Sequence, residues 1–552
     1  MDNKPGEPTR RDFVKGAAAI GVSAVGAPAA AAQAAAQASG PRAARRGFEA
    51  AVPQFEKIVG KPWVLVQRDD LDGYLDPYAL GDGHEHAAGG AVAPASVEEV
   101  QAVIRVANEH RVPLWPISRG KNFGYGSAAP VRAGTVMLDL TRMNRILELD
   151  EKLAYCVLEP GVGFFDLWAR IRAENMKLWL SPPGNSSGSV IGNALEHGSA
   201  NTPYGDHAFN LCGMEVVLGN GNRVRTGMGA MEGSKTWHLY KHAYGPNLDP
   251  LFTQSNFGVV TRAGMWLMPE PEATLTMNLE APNPGDLEWL VDALAPLRTA
   301  GTVRQVVTLR NYLRVATLRS KRADWYTGEG AMPDSVIAKI LQTYGIGWWS
   351  LALRLYGLPG VNEATAEHIQ KRFAAFTDQK FSLTRWHQGE PYAGSGLGEP
   401  ATTSMQALNW SGGRGSHIAF SPNVPLNGKL AREQFERTRR LTTEYGFDYY
   451  GANWLWDRSI TIVGSIYYDR DNAEQVGRLK RLFKALIADS KQHGYGEYRT
   501  HIDFMDEVAR SFDYNGYATM RMQQAIKQAL DPNGLIAPGK SGIWPQGQGW
   551  LT

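Results

Sequence analysis

The chain has 552 residues, of which 43% are hydrophobic and 20% are charged, a composition that excludes a disordered or fibrous protein and predicts a large packed core. Its 57 basic and 55 acidic residues are well mixed and leave a formal net charge of +2. No charged surface is expected to recruit nucleic acid or anionic lipid, so small molecules are the expected partners.

The first 38 residues have the features of an export signal. The pair Arg10-Arg11 precedes Asp-Phe-Val-Lys and a stretch rich in Ala, Gly and Val, and residues 36–38 offer a small-residue cleavage site. The pattern resembles a bacterial twin-arginine signal, which predicts a periplasmic or extracellular protein; an ordinary Ala-rich tail is the alternative. No other run reaches the roughly 18 apolar residues that a membrane span needs.

Short helices and strands are predicted to alternate from residue 50 to residue 270. Apolar residues lie three and four apart over 97–110, directly after Ser96, which predicts a capped amphipathic helix. Residues 113–117 and 136–140 predict short strands on either side of a glycine-rich loop. The prediction is an α+β fold without the Gly-x-Gly-x-x-Gly fingerprint of a doubly wound dinucleotide-binding sheet.

Two prolines in the segment Pro269-Glu270-Pro271 interrupt the preceding pattern of helices and strands, which predicts a domain boundary. The elements predicted beyond it are helices at 284–298, 364–376 and 520–530 and a strand at 459–463. The predicted domains are an export signal at 1–38, a cofactor-binding domain at 50–270, a cap domain at 271–495 and a C-terminal segment at 496–552. Cys156 and Cys212 lie in apolar runs and are expected to be buried thiols, and no cysteine pattern predicts a metal site.

Three glycine-containing regions carry the first functional signal. The loop at 116–127 has three glycines, two serines and two cations. Successive backbone N–H groups in such a loop form a nest that binds a diphosphate, although a plain surface turn has the same composition. Residues 188–193 and 256–261 repeat the mixture of small, polar and apolar residues, which favours a nucleotide cofactor.

Six segments in order resemble the vanillyl-alcohol oxidase and 4-cresol dehydrogenase family of flavoproteins. They are residues 116–126, 202–207, 213–218, 226–230, 252–258 and 537–542. The resemblance spans about residues 60–545 and implies an FAD-binding domain of two α+β subdomains, an α+β cap domain over the flavin, and a C-terminal segment that returns to the FAD domain. It also implies oxidation of 4-substituted phenols and a homodimer or higher homo-oligomer; no metal is expected.

The resemblance assigns a set of residues to the cofactor. They are Ile117, Ser118, Arg119, Gly120, Lys121, Asn122, Gly188, Ser189, Gly192, Asn193, Gly205, Gly258, Val259, Val260 and Lys540. His417 matches the segment in which oxidase members carry the histidine bonded to the flavin, whereas dehydrogenase members use a tyrosine where this chain has Leu408-Asn409-Trp410. A covalent bond from His417 to FAD is therefore expected, which raises the reduction potential; a packed strand histidine is the alternative.

Tyr125, Tyr498 and Arg499 match the phenolate-binding residues of the family. A 4-substituted phenol releases hydride from its benzylic carbon readily only when it is ionised, so its pKa near 10 must be lowered. A permanent charge on Arg499 and two tyrosine hydroxyls serve that purpose. The product of hydride transfer is a para-quinone methide, which adds water or, from a benzylic alcohol, gives an aldehyde. A surface arginine beside a packed tyrosine is the alternative.

Two departures from the family concern the substrate pocket. Gly184 stands where oxidase relatives have an acid near flavin N5, and Asn201 replaces a tyrosine, so a roomier pocket for a bulky 4-substituent is predicted. With the acid missing, Asp206 or a water molecule would have to move the proton. Pro183 aligns with a position where oxygen-reactive members have proline or glycine, which favours an oxidase.

Three hypotheses about function follow. The first is an oxidase of 4-substituted phenols, such as lignin-type guaiacyl alcohols and alkyl- or allylphenols, whose flavin is reoxidised by O2 to give H2O2. The second is a dehydrogenase or hydroxylase of the same substrates that passes electrons to a periplasmic c-type cytochrome. The third is a non-catalytic flavin-binding protein of the same fold.

Overall fold

The computed structural model describes residues 41–391 and 398–551; the predicted export signal lies outside the described residues. No helix in these ranges has the length and apolar character needed to cross a membrane. The helices are α1 (Pro41–Val59), α2 (Arg68–Leu71), α3 (Val97–His110), α4 (Phe164–Ala173), α5 (Val190–Leu195), α6 (His207–Asn210), α7 (Leu287–Thr299), α8 (Leu313–Arg319), α9 (Asp334–Tyr344), α10 (Pro359–Phe373), α11 (Gly428–Glu444), α12 (Ala473–Gln492), α13 (Met505–Ala509) and α14 (Tyr514–Leu530).

Two sheets form the first half of the described chain. Their strands are β1 (Val64–Leu65), β2 (Gly90–Val92), β3 (Leu114–Ile117), β4 (Val136–Asp139), β5 (Ile146–Asp150), β6 (Tyr155–Leu158), β7 (Leu178–Trp179), β8 (Leu211–Leu218), β9 (Arg223–Arg225), β10 (Gly258–Trp266) and β11 (Met268–Pro269). The first sheet has the order β1-β2-β4-β3, with β2, β4 and β3 parallel. The second is antiparallel in the order β5-β6-β10-β8-β9, and β7 pairs with β11 apart from both.

Local sequence signals were reliable in this half. The predicted helix at 97–110 is confirmed as α3, and Ser96 caps it because its Oγ accepts a hydrogen bond of 3.2 Å from the N–H of Glu99. The predicted strands at 113–117 and 136–140 are confirmed as β3 and β4. Cys156 and Cys212 are free and buried, as expected.

A third, antiparallel sheet begins at Ala273. Its strands are β12 (Ala273–Ala281), β13 (Val307–Asn311), β14 (Trp349–Gly357), β15 (Ser382–His387), β16 (Gly415–Phe420), β17 (Asn423–Pro425), β18 (Ala452–Leu455) and β19 (Ser459–Asp469). The order is β15-β12-β14-β13-β18-β19-β16, and β17 also pairs with β19. The predicted helix at 364–376 is confirmed as α10, but it begins earlier, at Pro359, because proline suits the first turn of a helix.

The two faces of the third sheet have different surroundings. On β19, Ile460, Ile462 and Ile466 are buried in the hydrophobic core that the sheet forms with its helices. The alternating residues Val463, Ser465 and Tyr467 instead line a large cavity. Since successive side chains of a strand point to opposite faces, the sheet is both a core layer and a wall of the cavity.

The end of the chain returns to the first sheet. The N–H of Leu114 on β3 donates to the carbonyl of Leu535 at 2.8 Å, and the N–H of Ala537 donates to the carbonyl of Leu114 at 2.7 Å. The preceding helix α14 extends the predicted helix at 520–530 toward the N-terminus, but three residues of its first turn, Asn515 to Tyr517, have positive φ. The return brings residues around 536–540 to the cavity wall.

Candidate active site

A cavity of about 890 Å³ is lined by residues of all three sheets. Its size falls within the roughly 300–1,000 Å³ typical of cofactor and ligand sites. The predicted cofactor residues on its wall are Ile117, Ser118, Gly120, Lys121, Asn122, Gly188, Ser189, Gly192, Asn193, Gly258, Val259, Val260, His417 and Lys540. The structure thus brings together three regions that are far apart in the sequence.

The loop after β3 has the features of an anion-binding nest. Within the described ranges, the backbone N–H groups of residues 118–122 donate to no carbonyl oxygen. Gly120 has φ +61°, which favours glycine, and a Cβ at Gly192 at the start of α5 would collide with Oγ of Ser118. Free N–H groups and this close approach fit the diphosphate of FAD.

Two of the predicted cofactor residues, Arg119 and Gly205, have side chains or Cα positions that do not line the cavity. Arg119 does not line the cavity because its guanidinium points toward α4, where it pairs with the carboxylate of Asp166 at 2.5 Å. Gly205 also lies off the wall; it is glycine because a Cβ would collide with the carbonyl oxygen of Ala200. Asp206 is exposed and caps α6 by accepting from the N–H of Phe209, so it does not supply the missing acid.

His417 lies on β16, where it is opposite Tyr467 in register. Its ring centroid is 5.4 Å from that of Tyr78 and 5.9 Å from that of Tyr467, and Nδ1 is buried without a hydrogen-bond partner among the described residues. Burial lowers the pKa of His417 to about 4, so the imidazole is neutral at pH 7. Gly124 has φ +80°, and a Cβ there would lie 2.8 Å from Nε2. A neutral imidazole with an unpaired nitrogen at a cofactor cavity is a competent nucleophile.

Tyr125, Tyr498 and Arg499 lie together on the same cavity wall. The guanidinium carbon of Arg499 is 3.9 Å from the centroid of the Tyr125 ring, and Arg499 also donates to Oδ1 of Asn122. Burial and the neighbouring Tyr125 raise the pKa of Tyr498, so its hydroxyl remains a hydrogen-bond donor at neutral pH. Burial alone lowers the pKa of Arg499, but the two tyrosines raise it, and the guanidinium keeps its charge. The three side chains can hold an anion.

The three predicted substrate-pocket residues also line the cavity. Among the described residues, only Ser404 lies within 4 Å of a Cβ built at Gly184, with Oγ at 3.8 Å, so this position has space for a larger side chain. Oδ1 of Asn201 accepts a hydrogen bond of 2.7 Å from Oγ1 of Thr308 on β13. This hydrogen bond connects the loop that contains Asn201 to the third sheet.

Sequence reasoning missed several charged residues of the wall. Glu196 follows the second glycine region, and its Oε1 accepts from Nζ of Lys540 at 2.6 Å. Arg310 and Arg314 also line the cavity; the signal available in the sequence was a pair of arginines four residues apart within the apolar run 306–315. Burial would raise the pKa of Glu196, but Lys540 and Arg499 lower it, so its carboxylate is ionised and offsets part of the positive charge.

Glu497, beside the phenolate-binding residues, gives a prediction about stability. Its Oε2 accepts from the N–H of Ser421, Oε1 has no partner among the described residues, and burial raises its pKa from the ordinary 4.5 to about 8. The unfolded chain therefore binds fewer protons than the folded chain between these values, so stability is lost as pH rises. Glu497→Gln should increase the free energy of unfolding relative to wild type by about 3 kcal/mol at pH 7 and little at pH 4.

Urea unfolding of both proteins at pH 4 and pH 7 measures this difference. The exposed Glu109→Gln is the control and should show the same small difference at both pH values. An equal effect of Glu497→Gln at pH 4 and pH 7 would contradict a neutral Glu497 in the folded protein.

Comparison with known proteins agrees with this fold and cavity. Residues 88–227 match a family model described as FAD binding domain, and residues 349–541 match one described as FAD linked oxidases, C-terminal domain. Together with a cavity that fits FAD, these matches define an FAD-dependent oxidoreductase.

The most informative relatives act on phenols by name. The chain is 37% identical to the hydroxylating 4-cresol dehydrogenase flavoprotein subunit of Pseudomonas putida, over 91% of this chain and 97% of that protein. It is similar to the structure of 4-ethylphenol oxidase from Gulosibacter chungangensis in an isoeugenol complex, with TM-score 0.87, 34% identity and 91% and 98% of the two chains covered. It is also similar to the structure of p-cresol methylhydroxylase with substrate bound, with TM-score 0.86 and 36% identity. That match covers 90% of this chain and 97% of the other. The chain belongs to the vanillyl-alcohol oxidase and 4-cresol dehydrogenase family, and it is a flavin-dependent enzyme of phenol oxidation.

Proposed function

We propose that the protein oxidises 4-substituted phenols at the benzylic carbon and that O2 then takes the electrons to give H2O2. The main support for the proposal is that Tyr125, Tyr498 and Arg499 lie on the same cavity as the glycine-rich loop at 116–127, whose backbone N–H groups fit the diphosphate of FAD. FAD supplies the hydride acceptor. Pro183 on the cavity wall supports oxygen as the final acceptor, through the resemblance to oxygen-reactive members.

The residues of the chain have separate tasks in this reaction. Arg499 and the two tyrosine hydroxyls stabilise the phenolate, whose oxygen donates electron density through the ring to the benzylic carbon. The backbone N–H groups of residues 118–122 hold the diphosphate, and His417 holds the flavin covalently. Because Gly184 carries no acid and Asp206 is outside the cavity, water carries the proton that the quinone methide gains or loses.

A second candidate is a dehydrogenase that delivers electrons to a c-type cytochrome. It is supported by the Pseudomonas putida relative, which is named as a flavoprotein subunit of a dehydrogenase. The proposal also includes export of the protein by the twin-arginine route, where a periplasmic cytochrome would be accessible, and assembly into a homodimer or higher oligomer. Replacing Arg10 and Arg11 by Lys and following the protein in cell fractions tests export, and light scattering tests assembly.

A substrate panel separates the candidates. Vanillyl alcohol, eugenol and 4-ethylphenol are mixed anaerobically with the protein, and bleaching of the flavin absorbance is followed. Peroxide formation in air supports the oxidase, and reduction of added cytochrome c without peroxide supports the dehydrogenase. A flavin spectrum that no phenol changes would reject both and favour a non-catalytic flavin-binding protein.

The open space at Gly184 predicts that Gly184→Asp folds normally, with a change in the free energy of unfolding within about 0.5 kcal/mol. The new carboxylate should narrow the pocket and lower kcat/KM for eugenol relative to 4-ethylphenol. Urea unfolding and steady-state kinetics with both substrates measure the two effects. Gly192→Ala is the contrasting variant, because its methyl group collides with Ser118, and it should lose FAD. Equal losses of FAD in both variants would contradict the predicted space at Gly184.

A further inference from the structure

Two arginines on the cavity wall have neither a task in the proposed reaction nor a partner among the described residues. Arg310 lies near the end of β13 and Arg314 at the start of α8, and both line the cavity. Neither side chain has a hydrogen-bond or ion-pair partner in the described part of the chain. Arg310 is next to Ala452 of β18 in register, and this small neighbour leaves the guanidinium open to the cavity.

The carboxylates of the cavity wall do not balance these charges. Glu196 is paired with Lys540, and Glu399 is exposed and pairs with neither arginine. Two other cations of the wall already have tasks. Lys121 belongs to the glycine-rich loop at 116–127, which is assigned to the cofactor, and Arg499 is assigned to the phenolate. Three arginine charges on the wall therefore remain after the cofactor and the phenolate have been assigned. Arg354 donates to Oγ1 of Thr276 at 2.9 Å, which leaves Arg310 and Arg314 as the two without a partner among the described residues.

The surroundings of the pair are those of an anion site. Burial and the nearby Arg314 lower the pKa of Arg310 to about 10, so Arg310 keeps its charge at neutral pH and the two guanidinium groups repel each other. Tyr450 and Tyr467 stand beside them with ring centroids 5.5 Å apart. Like charges in a partly desolvated wall are unfavourable unless an anion binds between them, and guanidinium groups bind carboxylates in a bidentate manner.

We propose that Arg310 and Arg314 bind a carboxylate on the 4-substituent of the substrate, so that 4-hydroxyphenyl alkanoic acids are preferred over neutral 4-alkylphenols. The inference rests on the proposed function, since Arg499 must hold the phenolate at the other end of the ring. The para position is the farthest from the phenol oxygen. Arg310 lies on the third sheet and Arg314 on the helix that follows β13, whereas Arg499 lies on the C-terminal segment beside Tyr125.

The reaction of such an acid balances without a further reagent. From 3-(4-hydroxyphenyl)propanoate, the phenol loses a proton and the benzylic carbon loses hydride to the flavin, which leaves the quinone methide. Loss of a proton from the neighbouring carbon restores the aromatic ring as a phenolate, and the phenolate oxygen regains the proton it gave up, which gives 4-hydroxycinnamate; the net change is the loss of one hydride and one proton. The carboxylate is unchanged, and the two electrons pass to the acceptor of the proposed function.

The test compares 3-(4-hydroxyphenyl)propanoate with 4-propylphenol, which has the same carbon chain without the charge. Wild type should show the higher kcat/KM with the acid, and Arg310→Gln and Arg314→Gln should each reduce the ratio of the two kcat/KM values roughly 10- to 100-fold. Arg304→Gln removes the same charge from an exposed position just before β13, and its ratio should stay within about twofold of wild type. Wild type that oxidises 4-propylphenol at least as well as the acid would overturn the inference and leave the proposed function intact.

A binding measurement decides the inference even if no phenol is oxidised. 3-Phenylpropanoate has the carboxylate but no hydroxyl, and it should change the flavin absorbance of wild type at concentrations at least tenfold lower than 3-phenylpropanamide does. The variant that combines Arg310→Gln and Arg314→Gln should lose this preference for the acid while keeping its FAD content. Equal binding of the acid and the amide to wild type, or loss of FAD in the variants, would overturn the inference by assigning the pair to the cofactor or the fold.

Discussion

Arg499→Leu should lower kcat/KM for 4-ethylphenol by about 10² to 10³, because the phenolate loses its only permanent positive partner in the Tyr125 and Tyr498 group. The loss should be in the rate of anaerobic flavin reduction measured by stopped flow. The difference in this rate between wild type and Arg499→Leu should become smaller as pH rises toward the pKa of the phenol near 10, because the substrate is then already ionised in bulk solvent. The rate of wild type should depend less on pH over that range.

The exposed Arg458→Leu, which removes a charge at a loop of the third sheet, is the control and should leave flavin reduction unchanged. An Arg499→Leu enzyme that reduces its flavin at the wild-type rate would remove Arg499 from the site. A loss that does not vary with pH would instead indicate damaged packing, since Arg499 also donates to Asn122.

His417→Ala should convert bound flavin from a form that acid precipitation retains to one that it releases completely. The physical basis is the neutral imidazole with an unpaired nitrogen at the cavity. Loss of the bond should also lower the reduction potential of the flavin and slow substrate oxidation by tenfold or more, as a weaker electron acceptor does. Fluorescence of the denatured protein band and a potentiometric titration measure the two effects.

His387→Ala on β15 is the matched control, because His387 is an exposed histidine in a strand of the same sheet. Its flavin should remain attached to the protein. Complete release of flavin from the wild type on acid precipitation would show that no covalent bond exists.

Periodicity and capping were sufficient to predict elements such as α3, because both signals are local. The limits of sequence reasoning appear where the direction of a side chain matters. Ser118 and Arg119 are neighbours in one loop, yet only Ser118 faces the cavity, since Asp166 on α4 attracts the arginine. The glycine at 205 is explained by close packing against the carbonyl oxygen of Ala200. A motif identifies a loop, but tertiary packing decides which of its side chains face the ligand.

The same limit explains why Arg310 and Arg314 were missed. Their apolar neighbours Leu309 and Leu313 are buried in the core. From sequence alone, residues 306–315 therefore look like a core segment that two arginines interrupt. Only the position of β13 within the third sheet shows that its other face is a cavity wall. Tyr498 and Arg499 reach the cavity together because they lie outside the regular strands, where side chains need not alternate.

The third sheet also has a consequence for how this enzyme can change. On β19 the isoleucines maintain the core, and Val463, Ser465 and Tyr467 line the cavity. Selection can therefore exchange Val463 or Ser465 for larger or more polar residues and acquire new substrates at little cost in thermostability. A library confined to the ligand-facing positions of β12, β18 and β19 should thus contain mostly folded members, which makes this wall the natural starting point for engineering substrate range.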